Sequence, residues 1–268
     1  MQKIHNFLFK NQTTLQTIAK NTFWLYFGHI VGRLVRVVLV IYSARILGAE
    51  GYGIFSYALG FAAIFNILGD VGIDSIVTRD VAKAKNNEKY IVAAGYYLKL
   101  VLNAASYVLI ISAIPLAPIA ESKMLIPFLG LAFVFDALRQ FGFAIAKAIE
   151  KTEIEAGVYI AHQIIGVVIG FIALTIWKTA FALAVAYTIG GALGFLVIVF
   201  TLRQYFRDIS HYVRWDIVKK IFSDAWPFAF TGLTAVILTN TDTVMLGWFT
   251  SAEQIGYYSA ALRPIQFL

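Results

Sequence analysis

The stretch from Phe23 to Leu47 constrains this chain more than any other. It is a hydrophobic run long enough to cross a bilayer, because roughly 20 apolar residues at 1.5 Å each span the hydrocarbon core. His29, Arg33 and Arg36 nevertheless lie near its middle. An arginine at the centre of a membrane helix costs about 2.5 to 3.5 kcal/mol, so such residues nearly always face a bundle interior or a water-filled cavity. At about 100° per residue the three side chains share one helix face, and we expect that face to line a cavity.

The composition is that of an integral membrane protein. Hydrophobic residues make up 60% of the 268 residues and charged residues 14%, with a mean hydropathy of +0.75, far from the habits of soluble domains. We therefore predict an all-α, multi-pass integral membrane protein. The absence of cysteine excludes disulfides, thiolate chemistry and cysteine-based metal sites. A net charge of +7 in such a chain more often reflects orientation than nucleic-acid binding, and we predict no nucleic-acid partner.

The N-terminal residues 1–22 do not form a cleavable signal, because they lack a long apolar core and a small-residue cleavage site. We predict an amphipathic segment at the cytoplasmic interface, with Lys3, Lys10 and Lys20 in water. A first bundle of six transmembrane helices follows in residues 23–202. Its predicted helices cover residues 23–47, 54–77, 90–114, 124–149, 154–177 and 181–202.

The remaining residues predict the start of a second bundle. Residues 203–220 form a basic cytoplasmic connector with interleaved aromatic residues, which we interpret as a further helix lying in the interface. A seventh helix is predicted over residues 221–249 and an eighth from about residue 255. Because the chain ends inside this apolar helix, we expect it to be a truncated piece of a longer protein.

The distribution of positive charge predicts the orientation. If the helices cross alternately, 14 of the 22 Lys and Arg residues lie on the side of the N-terminus, 3 on the other side and 5 inside helices. Positive charges concentrate on the cytoplasmic side, so we predict a protein of the cell (cytoplasmic) membrane with a cytoplasmic N-terminus. The outer loops are only a few residues long. They leave no room for a catalytic domain, and we predict that the protein is not an enzyme.

An internal repeat supports two bundles. The segments AEGYGIFSYAL (49–59) and AEQIGYYSAAL (252–262) share six of eleven residues at an offset of 203, and each follows an apolar helix. An even number of helices per repeat restores the same orientation in the membrane. We therefore predict parallel repeats related by an axis along the membrane normal.

Two longer stretches resemble a known family. The stretch ARILGAEGYGIFSYALGFAAIFNILGDVGIDSIVTRDVAK (44–83) resembles the N-terminal signature of bacterial and archaeal polysaccharide biosynthesis proteins, the Wzx-type O-antigen and lipid-linked oligosaccharide flippases. The stretch PFAFTGLTAVILTNTDTVMLGWFTSAEQIGYYSAALRPI (227–265) is similar to the start of their second half, including an aspartate in the seventh helix, here Asp242. These flippases belong to the multidrug/oligosaccharidyl-lipid/polysaccharide superfamily.

The resemblance implies two six-helix bundles around a central cavity that opens alternately to each side of the membrane. It implies translocation of an undecaprenyl-pyrophosphate-linked oligosaccharide for cell-surface polysaccharide, such as the O-antigen of lipopolysaccharide. The implied partners are this lipid-linked oligosaccharide, the membrane lipids and polysaccharide assembly proteins. No cofactor is implied beyond a coupling Na+ or H+.

A pyrophosphate that crosses the membrane needs buried cationic partners that it can reach. Arg33 and Arg36 fit best, because a guanidinium stays charged when desolvated and binds phosphate oxygens in pairs. Lys99 on the third helix and Arg139 on the fourth are further candidates. His29 shares the arginine face and could donate to phosphate or relay protons.

Each cation also has a structural interpretation. Lys and Arg often pair with nearby acids or extend along the helix to the surface. For Arg139 we favour pairing with Asp136, which lies three residues earlier on the same helix face. A single histidine such as His29 is more often a packing residue than a functional one.

Three membrane acids could bind a coupling ion. Asp70 and Asp74 lie one turn apart near the cytoplasmic end of the second predicted helix, where they could bind Na+ or H+. The alternative, which we favour, is that they hold this helix end against basic neighbours. Asp242 lies deeper, in the sequence TNTDT, whose hydroxyl groups could complete an oxygen-rich ion site.

Two other functions remain open. A cation-coupled multidrug exporter of the same superfamily should carry acids rather than arginines in its cavity, so the arginines on the first helix oppose it. A nonfunctional truncated fragment is the other. A membrane polymerase or ligase would need a large outer loop with carboxylates or histidines, which this sequence lacks.

Overall fold

The computed structural model describes residues 14–66, 69, 71–84 and 87–266, and this part of the chain forms helices and no strand. The long helices are α1 (Thr14–Phe65), α2 (Ile73–Lys83), α3 (Glu88–Ala113), α4 (Ile126–Ala148), α5 (Thr152–Trp177), α6 (Ala180–Thr201), α7 (Trp215–Phe249) and α8 (Ala252–Gln266). Short helical turns lie at Ile114–Leu116, Ala120–Met124, Arg203–Phe206 and Ile209–Tyr212.

Several of these helices are long and apolar enough to cross a membrane. In the described residues they number four, α3 to α6, and α7 adds a fifth if its two halves, bent by 54°, form one span. The prediction of an all-α, multi-pass membrane protein is confirmed to this extent. The finer arrangement of six helices plus the first two of a second bundle stays a prediction.

Helix α1 contains two helices joined at a break. Gly48 has φ 68° and ψ −179°, a conformation that essentially only glycine adopts. The break divides α1 into residues 14–47, called α1a here, and residues 49–65, called α1b. The chain can therefore reverse direction between its first two predicted helices with a single residue.

The prediction of one continuous helix over residues 54–77 is wrong. Segment α1b ends at Phe65 and α2 begins at Ile73, after Gly72 with φ 85°. Asn103 Nδ2 donates to the Gly69 carbonyl at 3.3 Å, and Ser106 Oγ donates to the Phe65 carbonyl at 2.8 Å. These bonds from α3 satisfy carbonyl groups that the broken helix leaves free, which makes a break inside a membrane bundle tolerable.

The other helix ends follow local sequence signals. Pro115 lies in the turn that ends α3, and Pro127 occupies the first turn of α4, where its missing N–H is not needed. Thr179 caps α6, since its side-chain oxygen accepts from the backbone N–H of Ala182 at 3.2 Å. The predicted bounds of these helices agree with the structure within two residues.

The connector does not form one interfacial helix, and that prediction is wrong. It contains the turns Arg203–Phe206 and Ile209–Tyr212, separated by Asp208 with φ 56°. Helix α7 then begins at Trp215, six residues earlier than predicted. Pro227 lies inside α7, just before the bend of 54° between Ala229 and Thr234.

Contacts of Lys20 place the start of α1 and the start of α5 at the same end of the bundle. At the N-terminal end of α1, Lys20 Nζ lies 3.2 Å from a Glu153 carboxylate oxygen and donates to the Glu150 carbonyl at 3.1 Å. Only 1% of the Lys20 side chain is exposed, so the prediction that it lies in water is wrong. The carboxylate and the carbonyl at the start of α5 take the place of water around the ammonium group. Residues 1–13 of the predicted amphipathic segment lie outside the described residues.

The repeated segments contact each other reciprocally at the opposite end of the bundle. Gly53 packs on the backbone of Ala252, while Gly256 packs on the backbone of Ala49. Gly256 and Ala252 lie 203 residues after Gly53 and Ala49. Both contacts therefore join the same two positions of the repeat, with the two copies exchanged. Such reciprocity is characteristic of a two-fold axis, and it supports the predicted repeat.

Two large apolar clusters fill most of the bundle, one towards each end. The first includes Tyr52, Phe55 and Leu129, and the second includes Val77 and Phe141. Polar and charged side chains lie between them, around a cavity enclosed by α1, α4, α5 and α6. The fold thus places a small hydrophilic site in the middle of an apolar bundle.

Candidate functional site

The cavity has a volume of about 150 Å³. Helix α1 contributes Arg36, α4 contributes Asp136, α5 contributes His162 and Gln163, and α6 contributes Tyr187. The rest of the lining is apolar or glycine: Leu39, Leu59, Leu129, Ala132, Phe133, Gly166, Val167, Gly190 and Gly191. A few convergent polar groups in an otherwise apolar pocket are typical of a binding site.

Glycines on α6 let this helix pack closely against α5, on the His162 ring and on the Gly166 backbone. A Cβ atom on Gly194 would lie 3.0 Å from His162 Cγ, and one on Gly190 would lie 3.3 Å from the Gly166 Cα atom. His162 Nδ1 is 3.1 Å from the Gly190 carbonyl oxygen, which can only accept, so Nδ1 carries the proton. The other ring nitrogen, Nε2, then has no proton in the neutral ring and can accept one.

Arg36 is the cation that lines the cavity directly. Its guanidinium carbon lies 5.8 Å from the centre of the Tyr187 ring, a cation–π contact between α1 and α6. Arg33, three residues earlier, is instead exposed on the surface of the bundle. The structure therefore separates the two arginines that the sequence places on one helix face.

Arg139 lies next to the cavity in a buried position. Its Nη2 atom contacts the carboxylate of Asp136, the pairing favoured from the sequence. Its guanidinium also lies over two rings, 5.2 Å from the centre of Phe143 and 5.9 Å from that of Tyr159. One acid on the cavity wall thus serves a fully buried arginine.

His29 belongs to a second cluster nearer the N-terminal end of the bundle. Its Nε2 atom is 3.7 Å from Glu155, whose carboxylate is also 3.2 Å from Lys147 Nζ. The Glu155 side chain is only 3% exposed. The His29 and Tyr159 rings, with centres 4.8 Å apart, connect this cluster to the surroundings of Arg139.

Lys99 and Asp74 lie together, away from the cavity. The Lys99 side chain is fully buried, and its Nζ atom is 2.6 Å from an Asp74 carboxylate oxygen. Nearby on α2, Arg79 is hydrogen-bonded to Asp80 at 2.7 Å and to Asp224 of α7 at 3.0 Å. These bonds raise the pKa of Arg79 above its ordinary value, so Arg79 keeps its charge at every physiological pH. Asp70 lies outside the described residues.

Asp242 occupies a separate position on α7. One carboxylate oxygen accepts from the Thr243 backbone N–H at 2.7 Å, and the other contacts the Tyr258 hydroxyl of α8. Of the hydroxyl groups in TNTDT, that of Thr243 lies 3.4 Å from an Asp242 oxygen, and Tyr258 is an additional hydroxyl neighbour from the following helix. Asp242 is not among the residues that line the cavity of the first bundle.

Sequence reasoning underrated several residues of the cavity. His162 and Gln163 carry only a weak signal as isolated polar residues, and Tyr187 carries none. Asp136, His162 and the small residues of α6 are each ordinary on their own. They form a site only because α4, α5 and α6 pack so that all of them line one cavity with Arg36. That convergence depends on helix packing, which periodicity within one helix does not reveal.

The fold is that of solved membrane transporters. The chain aligns over 97% of its length with 63% of the MATE multidrug transporter DinF-BH, at a TM-score of 0.73 and 14% identity. It aligns over 96% of its length with 71% of a MOP superfamily transporter from Pyrococcus furiosus, at a TM-score of 0.57 and 14% identity. The apolar helices and this fold together indicate a multi-pass membrane protein with the fold of these transporters.

Within this class, the chain belongs to the polysaccharide biosynthesis protein family, whose model matches residues 18–268. The family predicted from the signature stretches is thereby confirmed. A 74-residue segment is 35% identical to a Shigella flexneri protein named "Putative O-antigen transporter", covering 26% of this chain and 17% of that protein. The chain spans less than two thirds of the length of this relative and of DinF-BH.

Proposed function

We propose that this protein acts in a flippase that moves an undecaprenyl-pyrophosphate-linked oligosaccharide across the cytoplasmic membrane by alternating access, for cell-surface polysaccharide biosynthesis. The observation that carries the proposal is Arg36 on the wall of a cavity that also holds Asp136, the partner of the buried Arg139. Family membership and the transporter fold support it. The N-terminal end of α1 would face the cytoplasm, in agreement with the charge count.

Arg36 would bind the pyrophosphate. A guanidinium keeps its charge in an apolar bundle and offers paired N–H groups to phosphate oxygens. The cavity of about 150 Å³ is too small for an oligosaccharide, so the sugars would lie outside it, between the two bundles. Arg33 is exposed on the surface of α1a and would face that space, where it could contact the second phosphate or the sugars.

Ion coupling would involve acids outside the phosphate site. Asp242 contacts Tyr258 and Thr243 at the start of the second repeat, and we propose it as the first candidate for Na+ or H+ binding. Asp74 is already bonded to Lys99, which favours a structural role for this pair. The same bond leaves Lys99 less suited to phosphate than Arg36.

A cation-coupled multidrug exporter is the second candidate function. The observation that favours it is the Asp136 side chain, which lines the cavity and is 42% exposed. A carboxylate there could attract a lipophilic cation. Arg36 and Arg139 oppose this, because with both arginines charged the cavity carries a net positive charge.

Binding to the full-length protein in detergent distinguishes these functions. Ligands would be farnesyl diphosphate, as a short isoprenoid diphosphate, and tetraphenylphosphonium, as a lipophilic cation. A ligand at 100 times its dissociation constant should stabilise the fold by about 2.7 kcal/mol, which a thermal unfolding curve detects. We expect farnesyl diphosphate to stabilise the wild type and tetraphenylphosphonium to have no effect.

The Arg36→Gln variant should lose most of this stabilisation. Removing a charged hydrogen-bond partner costs about 1.5 to 3 kcal/mol, which corresponds to a roughly 10- to 150-fold weaker affinity. Arg207→Gln is the matched control, because the Arg207 side chain is 86% exposed on the connector. Stabilisation by tetraphenylphosphonium alone would support the exporter instead.

A further inference from the structure

A second cavity, called the outer groove here, lies between the two copies of the repeat. Its volume is about 330 Å³, roughly twice that of the cavity in the first bundle. One wall is α1 on both sides of its break, including Ile41, Ala44 and Gly48, and the other is α8, including Tyr257 and Ala260. The groove lies at the end of the bundle opposite the start of α1, which the proposed orientation places outside the cell.

Arg45 is the only charged residue among the described residues that line the outer groove. It is exposed, and in the described part of the chain its guanidinium has no hydrogen bond and no ion pair. The nearby acid Glu253 does not line the groove and instead accepts a hydrogen bond from the Tyr257 hydroxyl at 3.1 Å. The N–H groups of Arg45 are therefore available to an anion that enters the groove.

Orientation in the membrane does not account for Arg45. The predicted topology places only 3 of the 22 Lys and Arg residues on the outer side, and Arg45 is one of them. Because positive charges collect on the cytoplasmic side, a cation at the outer end of α1a needs another explanation. Its unpaired position on the wall of a groove suggests that it binds a ligand.

The position of Arg45 on α1a connects it with the space between the two bundles. At about 100° per residue, Arg33 and Arg45 border the same exposed face of the helix, on either side of Ile30 and Ile41, which are 56% and 47% exposed. The two arginines are 12 residues apart, or about 18 Å along the helix axis at 1.5 Å per residue. A headgroup that moves outwards along this face would reach Arg45 last.

We propose that the outer groove is a second binding site for an isoprenyl diphosphate, in which Arg45 binds the diphosphate and the apolar walls hold the first isoprene units. It would receive the headgroup of the translocated lipid before release into the outer leaflet. The inference rests on the proposed function, because it assigns a release site to the same ligand. Since one wall belongs to each copy of the repeat, a relative movement of the two bundles would open or close this site.

Charge and exposure determine what this site would bind and how tightly. A guanidinium binds phosphate oxygens in pairs, and a diphosphate offers it more negative charge than the single phosphodiester of a phospholipid. Arg45 is exposed to water, where electrostatic attraction is several-fold weaker than in the interior. The outer groove should therefore bind the diphosphate more weakly than the cavity around Arg36, which favours release on the outer side.

The test counts the farnesyl diphosphate molecules that the full-length protein binds in detergent. We expect two per chain in the wild type, a tighter one at Arg36 and a weaker one at Arg45. Arg45→Gln should weaken the second site roughly 10- to 150-fold, the effect of losing a charged hydrogen-bond partner, and leave the tighter affinity unchanged. Arg36→Gln should instead weaken the tighter site and keep the weaker one.

Two pairs of variants separate charge from shape. Lys178→Gln removes another exposed cation predicted on the outer side and should still bind two molecules. Ala44→Leu fills part of the groove while keeping Arg45, and it should lose the weaker site. Ala105→Leu places the same side chain on the exposed surface of α3 and should keep both sites. Thermal unfolding of each variant establishes that it is folded.

Two results would overturn the inference while leaving the proposed function intact. One is a folded Arg45→Gln variant that binds as many molecules as the wild type with the same affinities. The other is displacement of farnesyl diphosphate from the weaker site by an equal concentration of phosphatidylglycerol, which would make the groove a general phospholipid site. Failure of the wild type to bind farnesyl diphosphate, or unchanged binding by Arg36→Gln, would instead contradict the proposed function.

Discussion

Lys99 carries an ammonium group in the apolar interior, fully buried and 2.6 Å from Asp74. A buried ion pair contributes little compared with a well-packed apolar pair, but removal of one partner leaves an uncompensated charge that costs about 3 to 5 kcal/mol. Because α3 carries the lysine and α2 the aspartate, the pair fixes the position of α2 after the break in the preceding helix.

Replacement of Lys99 by methionine should therefore lower the free energy of unfolding by about 3 to 5 kcal/mol, since it leaves Asp74 unpaired. The double variant Lys99→Met/Asp74→Asn should recover most of this loss. Equilibrium unfolding of the full-length protein in detergent measures both. If Lys99→Met is as stable as the wild type but binds farnesyl diphosphate more weakly, Lys99 acts on the ligand and not on the fold.

The charged residues of α1 also show which parts of the site can be predicted from the sequence. The cost of burying a charge indicates that the cations of α1 need polar partners, and Arg36 and His29 have them in the cavity and at Glu155. The roughly 60° that separates Arg33 from Arg36 around a helix, at about 100° per residue, is enough to expose one and turn the other inward. Which arginine turns inward depends on where α5 and α6 pack, and the sequence of α1 does not contain that information.

At the scale of elements, the close approach of α5 and α6 shapes the cavity. A valine at position 194 would direct its side chain into the His162 ring, since a Cβ atom there already lies 3.0 Å from Cγ. Overpacking of this kind costs about 1 to 3 kcal/mol. We expect Gly194→Val to lower the thermal stability and to weaken farnesyl diphosphate binding by displacing His162 from the cavity wall.

Gly157→Val is the matched control for this prediction. Gly157 lies on the same helix as His162, and a Cβ atom on it would meet nothing within 4 Å. This variant should bind the diphosphate like the wild type. Equal effects of the two valines on binding would mean that the glycines of this helix pair do not determine the shape of the cavity.

The helix breaks illustrate what the sequence predicts about elements. Prolines mark the end of α3 and the start of α4, and a capping threonine marks the start of α6, because these signals are local. The break between Phe65 and Ile73 escaped prediction, because its carbonyl groups are satisfied by Asn103 and Ser106 of α3. An apolar run that contains Gly69 and Gly72 is compatible with a continuous or a broken helix, and the tertiary partners decide between them.

At the scale of the whole molecule, the predicted orientation in the membrane can be tested at the two ends of the bundle. The connector with Asp208 and the loop with Lys178 lie at opposite ends if the helices alternate, and the chain contains no cysteine. Asp208→Cys and Lys178→Cys therefore each introduce one thiol into these 268 residues. In intact cells, a membrane-impermeant maleimide should label Lys178→Cys and spare Asp208→Cys until the membrane is opened. The reverse pattern would place the N-terminus outside.

The internal repeat also concerns the whole molecule, because its two copies contact each other. A match of six residues in eleven is weak on its own, but Gly53 and Gly256 each pack on the start of the other copy. Close helix contacts through glycine are common in membranes, and a reciprocal one indicates that the two copies are related by symmetry. A second bundle related to the first in this way would complete the space in which we place the sugars.

The most direct test of the account is translocation itself. Full-length protein would be reconstituted in liposomes with a fluorescent, diphosphate-linked isoprenoid disaccharide, and an impermeant quencher would report the label that reaches the outer leaflet. We predict that the wild type and Arg207→Gln expose the inner-leaflet pool, and that Arg36→Gln does so roughly 10- to 150-fold more slowly, in proportion to the loss of a charged hydrogen bond. Equal rates for Arg36→Gln and wild type, or no translocation by the wild type, would contradict the assignment of a phosphate site in this cavity.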